Sequence, residues 1–178
     1  MDNIQLYIFD WDGTLAKFKT GEPLPNVKEK LATLPDVPKV IATNQGGVGF
    51  RWWQEHDGFG EPERLPTEAH IRRLFKSTMA ELGIMGWPVY FSFAYQAAKS
   101  GRWSPEPPHD TLDRECWRHD WRKPQAGMLL AAMERFGVAP EHTLMIGDWD
   151  EDTLAASLAG VHFQFAKDFF GWEESAAE

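Results

Sequence analysis

Five short apolar runs set the limits on what this chain can fold into. Ile4–Phe9, Lys39–Thr43, Val89–Tyr95, Thr143–Ile146 and Val161–Phe165 each read as a strand buried on both faces. Helical spacing fills the intervals. Val27, Leu31 and Leu34 share one face, and Pro35 stops that segment. Ile71, Leu74, Phe75, Thr78 and Leu82 mark a helix running from Thr67, an N-cap residue, to Gly83. Leu129, Ala132, Met133 and Phe136 mark a third, closed by Gly137. Leu154, Ala155 and Leu158 mark the apolar face of a fourth, closed by Gly160. Strands alternating with helices of this length predict an α/β fold, a doubly wound parallel sheet covered on both faces.

Three stretches break the alternation. Residues 15–24 carry Thr20-Gly21, which suits a small hairpin turn. Residues 45–66 are rich in Gly, Glu and aromatics, and residues 96–122 hold several Pro together with Trp103, Trp117 and Trp121. The last two are expected to be irregular loops near the site, because long loops in a compact domain often carry function. Glu173–Glu178 is expected to fray.

At 178 residues the chain suits one domain, 1–178, and 43% hydrophobic residues exclude a disordered chain. One Cys excludes an intramolecular disulfide and any Cys-rich zinc site. No apolar run is long enough to span a membrane, and Met1–Gln5 does not begin a signal peptide, so the expected location is cytoplasmic. The formal charge of −9 argues against broad, non-specific nucleic-acid binding. A monomer or small homo-oligomer is expected.

In an open parallel sheet the ligand site lies at the carboxyl ends of the strands. The first strand ends in Asp10-Trp11-Asp12-Gly13-Thr14, the second in Thr43-Asn44, and the fourth in Gly147-Asp148 with Asp152 four residues on; Lys123-Pro124 precedes the third helix. The topology therefore gathers Asp10, Asp12, Asp148 and Asp152, with Thr43 and Lys123 opposite. Asp is also common at turns and helix caps, so no single one of these residues is diagnostic. Gathered together, however, they repel: two unit charges ~5 Å apart cost about 3 kcal/mol at an effective dielectric near 20. Such a cluster needs a cation, and oxygen-only donors favour Mg²⁺.

The same residues carry a resemblance. DWDGTL at 10–15 is similar to the DxDGT motif of the haloacid dehalogenase (HAD) superfamily of phosphohydrolases. ATNQGGV at 42–48, RKPQAGM at 122–128 and GDWDEDTLAASLAGV at 147–161 resemble its second, third and fourth motifs, in order. The TNQ form resembles the histidinol-phosphate, heptose-bisphosphate and polynucleotide phosphatase branch. The resemblance implies a Rossmann-like HAD fold with a minimal cap. It implies a Mg²⁺-dependent phosphatase that cleaves a phosphate monoester through an aspartyl-phosphate. Asp10 would be nucleophile and Asp12 general acid and base. Thr43, Asn44 and Lys123 would hold the phosphoryl group. Asp10, the backbone carbonyl of Asp12, and Asp148 would bind the metal, with Asp152 supporting Lys123 or a metal-bound water.

A phosphorylated small molecule is the expected substrate. A nucleic-acid 3′-phosphate end is the second reading, because Arg and Trp interleave in 96–122 and could stack bases. That stretch carries equal numbers of acids and bases, however, so a loop packed down by its own Trp side chains is the plainer expectation. A non-enzymatic Mg²⁺/phosphate-binding module is the third. Receiver domains also use carboxylates, a Thr/Ser and a Lys, but there the acidic pair after the first strand is adjacent in sequence, unlike Asp10 and Asp12. Some phosphatases of this branch carry a zinc loop before the third motif. Here only His109, Cys116 and His119 stand in that region, and a zinc-free loop is expected.

Overall fold

The structure is a computed structural model and describes residues 3–107 and 114–172. The expected fraying at 173–178 and the position of His109 lie outside the described residues. Five strands, β1 (Leu6–Phe9), β2 (Lys39–Asn44), β3 (Val89–Ser92), β4 (Thr143–Gly147) and β5 (His162–Phe165), form one sheet in the order β3-β2-β1-β4-β5. Every neighbouring pair is parallel. The chain winds outward from β1 through β2 to β3, then crosses back to β4 on the other side of β1. The strand order reverses beside β1, and a crevice opens there at the carboxyl ends.

Each face of the sheet buries its own core. Leu6, Ile8, Val40, Ala42 and Met145 point to one side, under α4 (Gly127–Phe136) and α5 (Asp150–Ala159). Phe9, Ile41, Phe91, Leu144 and Ile146 point to the other, under α1 (Val27–Ala32), α3 (Glu68–Leu82) and the short α6 (Ala166–Phe170). Burial on both faces is why the inner strands read as unbroken apolar runs; β5, at the sheet edge, is the exception, with His162 exposed and Phe165 38% exposed. Thr67 caps α3 as expected, its hydroxyl accepting from the His70 amide at 3.1 Å, and Gly83 ends it at φ 76°.

Two expectations are corrected. The stretch 45–66 is not irregular throughout, because α2 (Gly46–Asp57) occupies most of it. Its glycines read as loop signals, each costing a helix roughly 1 kcal/mol. Packing requires them: a Cβ on Gly49 would overlap the carbonyl of Phe93, and one on Gly46 would stand 2.9 Å from Arg122 Nη1. The second correction concerns α5. Leu154 and Leu158 are 54% and 62% exposed, and the buried face consists of Asp152, Ala155, Ala156 and Ala159. The helix lies so close to the sheet that only small side chains fit beneath it.

The segment between β1 and β2 holds only the small hairpin and α1, so no large cap stands over the crevice. The hairpin forms as expected: Ala16 bridges Pro23 antiparallel, and Lys17 N–H donates to Glu22 at 2.8 Å. The described part of 96–122 has two 3₁₀ turns, Arg114–Trp117 and His119–Trp121. Trp117 and Trp121 are buried, and Trp121 Nε1 donates to the Phe91 carbonyl at 3.0 Å. Those two rings anchor the loop to the core and cannot stack on a ligand.

Candidate active site

The end of β1 sets the first carboxylate. Asp10 N–H donates to Ile146 at 2.8 Å, which holds it in line with β4. The chain then turns sharply, the Trp11 carbonyl accepting from the amides of Thr14, Leu15 and Ala16. Gly13 sits at φ 76°, and a Cβ there would overlap the Asp148 carboxylate. The glycine of DxDG is thus required both by the turn and by the acid facing it.

Lys123 lies at the centre. It is 2% exposed, and its Nζ donates to Asp10 at 2.5 Å and to Asp152 at 2.6 Å. Its backbone is held from both sides by one side chain: Asn44 Nδ2 donates to the Lys123 carbonyl at 2.8 Å, and Asn44 Oδ1 accepts from the Lys123 amide at 3.0 Å. Asn44 Nδ2 also reaches Glu151 at 3.1 Å. The Asn44 side chain, expected on the phosphoryl group, is therefore fully engaged with the residue beside it. The other Asp152 oxygen accepts from the amides of Asp148 and Trp149, both at 3.2 Å, tying the start of α5 to β4.

Oxygens of Asp10, Asp148 and Asp152 lie within 4.8 Å of one another. With Asp152 committed to Lys123 and two amides, Asp10 and Asp148 are the acids with coordinating capacity left. No Cys or His stands with this group, and among the described residues no second cluster of metal-ligating side chains occurs. Cys116 is half-buried, and His119 stacks on Trp103 with centroids 4.1 Å apart. Asp12 turns away from the cluster, its Oδ2 accepting from Gln45 Nε2 at 2.7 Å. Gln45 Nε2 also reaches Thr43 Oγ at 3.1 Å. Gln45 was not singled out by the sequence reading; the TNQ run contains it, but only the fold aims its amide across at the first motif.

Burial dominates the electrostatics. It pushes the Asp10 carboxyl up to about 8 despite the Lys123 ammonium beside it, and the negative Asp152 and Asp148 add to the rise. Burial and Asp152 raise Asp148 to about 6. Burial raises Asp12 as well, opposed by the hydrogen bond from Gln45 and by Lys123. For Lys123, burial acts downward, but Asp10 and Asp152 outweigh it and leave the ammonium more stable than usual. The site thus holds crowded carboxylates with one internal cation, an arrangement a divalent ion would relieve.

A cavity of about 690 Å³ opens from this crevice, reached past Asp12, Asn44 and Gln45. It runs between the hairpin, the start of α2 and the exposed side of α3.

Comparison with known proteins agrees with this geometry. The HAD-hydrolase-like family model matches residues 120–167, which span Lys123, Asp148 and Asp152. Over that stretch the chain is similar to HAD-like hydrolases. It is similar to the D-glycero-alpha-D-manno-heptose-1,7-bisphosphate 7-phosphatase of Burkholderia mallei, 29% identical over 122 residues, covering 68% of this chain and 53% of that protein. The chain thus spans about half the length of that relative. Among solved HAD structures, the D,D-heptose 1,7-bisphosphate phosphatase of B. bronchiseptica, complexed with magnesium and phosphate, aligns with a TM-score of 0.62 and 20% identity, over 96% of this chain and 88% of that one. A HAD-superfamily hydrolase of subfamily IA from Geobacter sulfurreducens aligns with a TM-score of 0.51 and 16% identity, over 90% and 88%. These likenesses bear on the HAD fold. Among the described residues, no helix is long and apolar enough to cross a membrane.

Proposed function

We propose that the chain is a Mg²⁺-dependent phosphatase that hydrolyses a small phosphate monoester through an aspartyl-phosphate on Asp10. The observation that carries the reading is the buried Asp10–Lys123–Asp152 chain of contacts, 2.5 and 2.6 Å, with Asp148 close enough to share an ion. Lys123 turns one Asp10 oxygen inward and leaves the other to face the crevice.

The donor set fits Mg²⁺: hard carboxylate oxygens and no sulfur or imidazole. Asp10, Asp148 and the Asp12 carbonyl would hold it, and when bound it would shield the anionic nucleophile from the anionic ester. The remaining steps belong to the side chains. An Asp10 oxygen bonds to phosphorus as the bond from phosphorus to the ester oxygen breaks, and Asp12 gives its proton to that leaving oxygen. Burial favours the proton on Asp12 at the outset. Water then loses a proton to Asp12, its oxygen bonds to phosphorus, and the Asp10–phosphorus linkage breaks to release phosphate. Lys123 and the Thr43 hydroxyl stabilise charge on the phosphoryl oxygens. Asn44 is a positioning residue acting through the Lys123 backbone, and Asp152 positions the ammonium.

A small substrate is favoured over a nucleic-acid end, because Trp117 and Trp121 are buried and the cavity beside Asp12 is bounded. The test is p-nitrophenyl phosphate turnover with Mg²⁺, with EDTA, and in Asp10→Asn. Activity that needs Mg²⁺ and vanishes in the variant is expected. Turnover retained in Asp10→Asn would overturn the assignment, and phosphate binding without any turnover would identify a binding module instead.

A further inference from the structure

The cavity beside Asp12 differs in chemistry from the crevice it joins. Its floor is Trp11 on Phe75, stacked with ring centroids 3.9 Å apart, with Ile71 and Leu74 alongside. Phe18, 68% exposed at the hairpin, and Pro66 close the sides. The hairpin is pinned in place: Thr78 Oγ donates to the Gly21 carbonyl at 2.6 Å, and a Cβ on Gly21 would stand 2.7 Å from Leu74. The hairpin that carries Phe18 is therefore held against α3.

Three of the polar side chains nearest the crevice are already engaged. Asn44 holds the Lys123 backbone, and Gln45 holds Asp12 and Thr43. Arg51 donates to the carbonyls of Pro62 and Leu65 and pairs with Glu55. A polyol lying over the apolar floor would lose water from hydroxyls that meet no polar group there.

The charge is also inverted relative to the whole. In a chain of net charge −9, the cavity is lined by Lys19, Arg51, Arg64 and Arg73 against Asp12 and Glu63, with His70 beside them. Arg64 pairs with Glu61 and Arg51 with Glu55. Among the described residues, Lys19 and Arg73 have no carboxylate partner. Two cations without acidic partners at the edge of an apolar cavity suit a ligand that ends in an anion.

We propose that this cavity selects phosphomonoesters whose leaving group is an apolar, ring-sized body carrying a second anionic group, with Phe18, Pro66 and Leu74 taking the body and Lys19 and Arg73 the anion. The inference rests on the phosphatase reading and narrows its substrate class away from simple sugar phosphates.

The test compares three primary alkyl esters, so that the leaving oxygens match: phenylethyl phosphate, its para-carboxylate, and glucose 6-phosphate, each with Mg²⁺. KM for phenylethyl phosphate should lie at least tenfold below that for glucose 6-phosphate. The carboxylate should lower it about tenfold more, and Lys19→Ala/Arg73→Ala should bring that last ratio to near one. Glucose 6-phosphate bound as well as the aryl esters, or a carboxylate gain that survives the double variant, would overturn the proposal. Calorimetry with 3-phenylpropylphosphonate and its para-carboxylate separates the two readings, because it needs no turnover. If no ester is hydrolysed but the phosphonates show the carboxylate preference and lose it in the double variant, the cavity assignment stands and the phosphatase reading falls. If esters are hydrolysed without preference, the cavity assignment alone falls.

Discussion

The crevice at the ends of β1 and β4 and the cavity between the hairpin and α3 share Asp12 but are built on opposite plans. In the crevice the most buried polar groups are tied to one another: Lys123 to two carboxylates, Asp152 to two amides, and Asn44 to both sides of the Lys123 peptide. In the cavity an apolar floor meets two cations, Lys19 and Arg73, that have no carboxylate partner among the described residues. The difference teaches where each property resides. Chemistry requires atoms fixed in advance, so its groups are buried and mutually bonded. Discrimination between leaving groups requires surface that is still free to bind, so its groups stand at the edge.

Substitutions can break that contrast in graded ways. The largest effect is expected from Asp10→Asn, with kcat falling by about 10⁴ or more while the fold persists, as checked by turnover and circular dichroism. Next is Lys123→Ala, which leaves Asp10 and Asp152 facing each other without their cation. A loss of about 10²–10³ in kcat and about 3 kcal/mol or more of stability is expected from kinetics and urea melts. An unchanged melting midpoint would show that the buried pairings contribute little.

Packing is tested on α5. Ala156→Leu should destabilise by about 1–3 kcal/mol, because it forces the helix off the sheet, whereas Leu158→Gln should stay within about 0.5 kcal/mol. Equal effects would mean the buried face is misassigned.

The smallest effect concerns pH. Asp10 and Asp148 have folded-state values raised to about 8 and about 6. Raised acids favour the fold while protonated, so their contribution is full below about pH 4 and is lost as pH rises through 6 and then 8. Lys123 is shifted upward from its ordinary value, so its own contribution is lost only at strongly alkaline pH, outside this window. Mg²⁺ binds the ionised carboxylates, so the rise in Tm on adding Mg²⁺ should be larger at pH 8 than at pH 5. A rise that is equal at both would argue against Asp10 and Asp148 as the ligands.

The legibility of the sequence divides along similar lines. All five strands lie within or beside the apolar runs, although β5, at the sheet edge, has no buried residue and was read from its Phe residues. Three of the four gathered acids meet as read, because strand ends in a parallel sheet converge by topology alone; Asp12 instead pairs with Gln45. The helix α2 was not, because its glycines carry low propensity and their reason is the approach of Phe93 and Arg122 from distant parts of the chain. The buried face of α5 was misread because Leu outscores Ala in hydrophobicity, while the gap under the helix admits only Ala. The part played by Gln45 escaped notice because an amide can serve many ends, and its partner, Asp12, lies on another strand's loop.

By itself, then, the sequence determined the winding of the sheet and which carboxylates meet at its edge. Both follow from periodicity and from the fixed direction of parallel strands. Only the tertiary structure decided which polar groups are already engaged and which face the cavity, because hydrogen-bond partners 113 positions apart, as Lys123 and Asp10 are, become neighbours only when the chain closes around them.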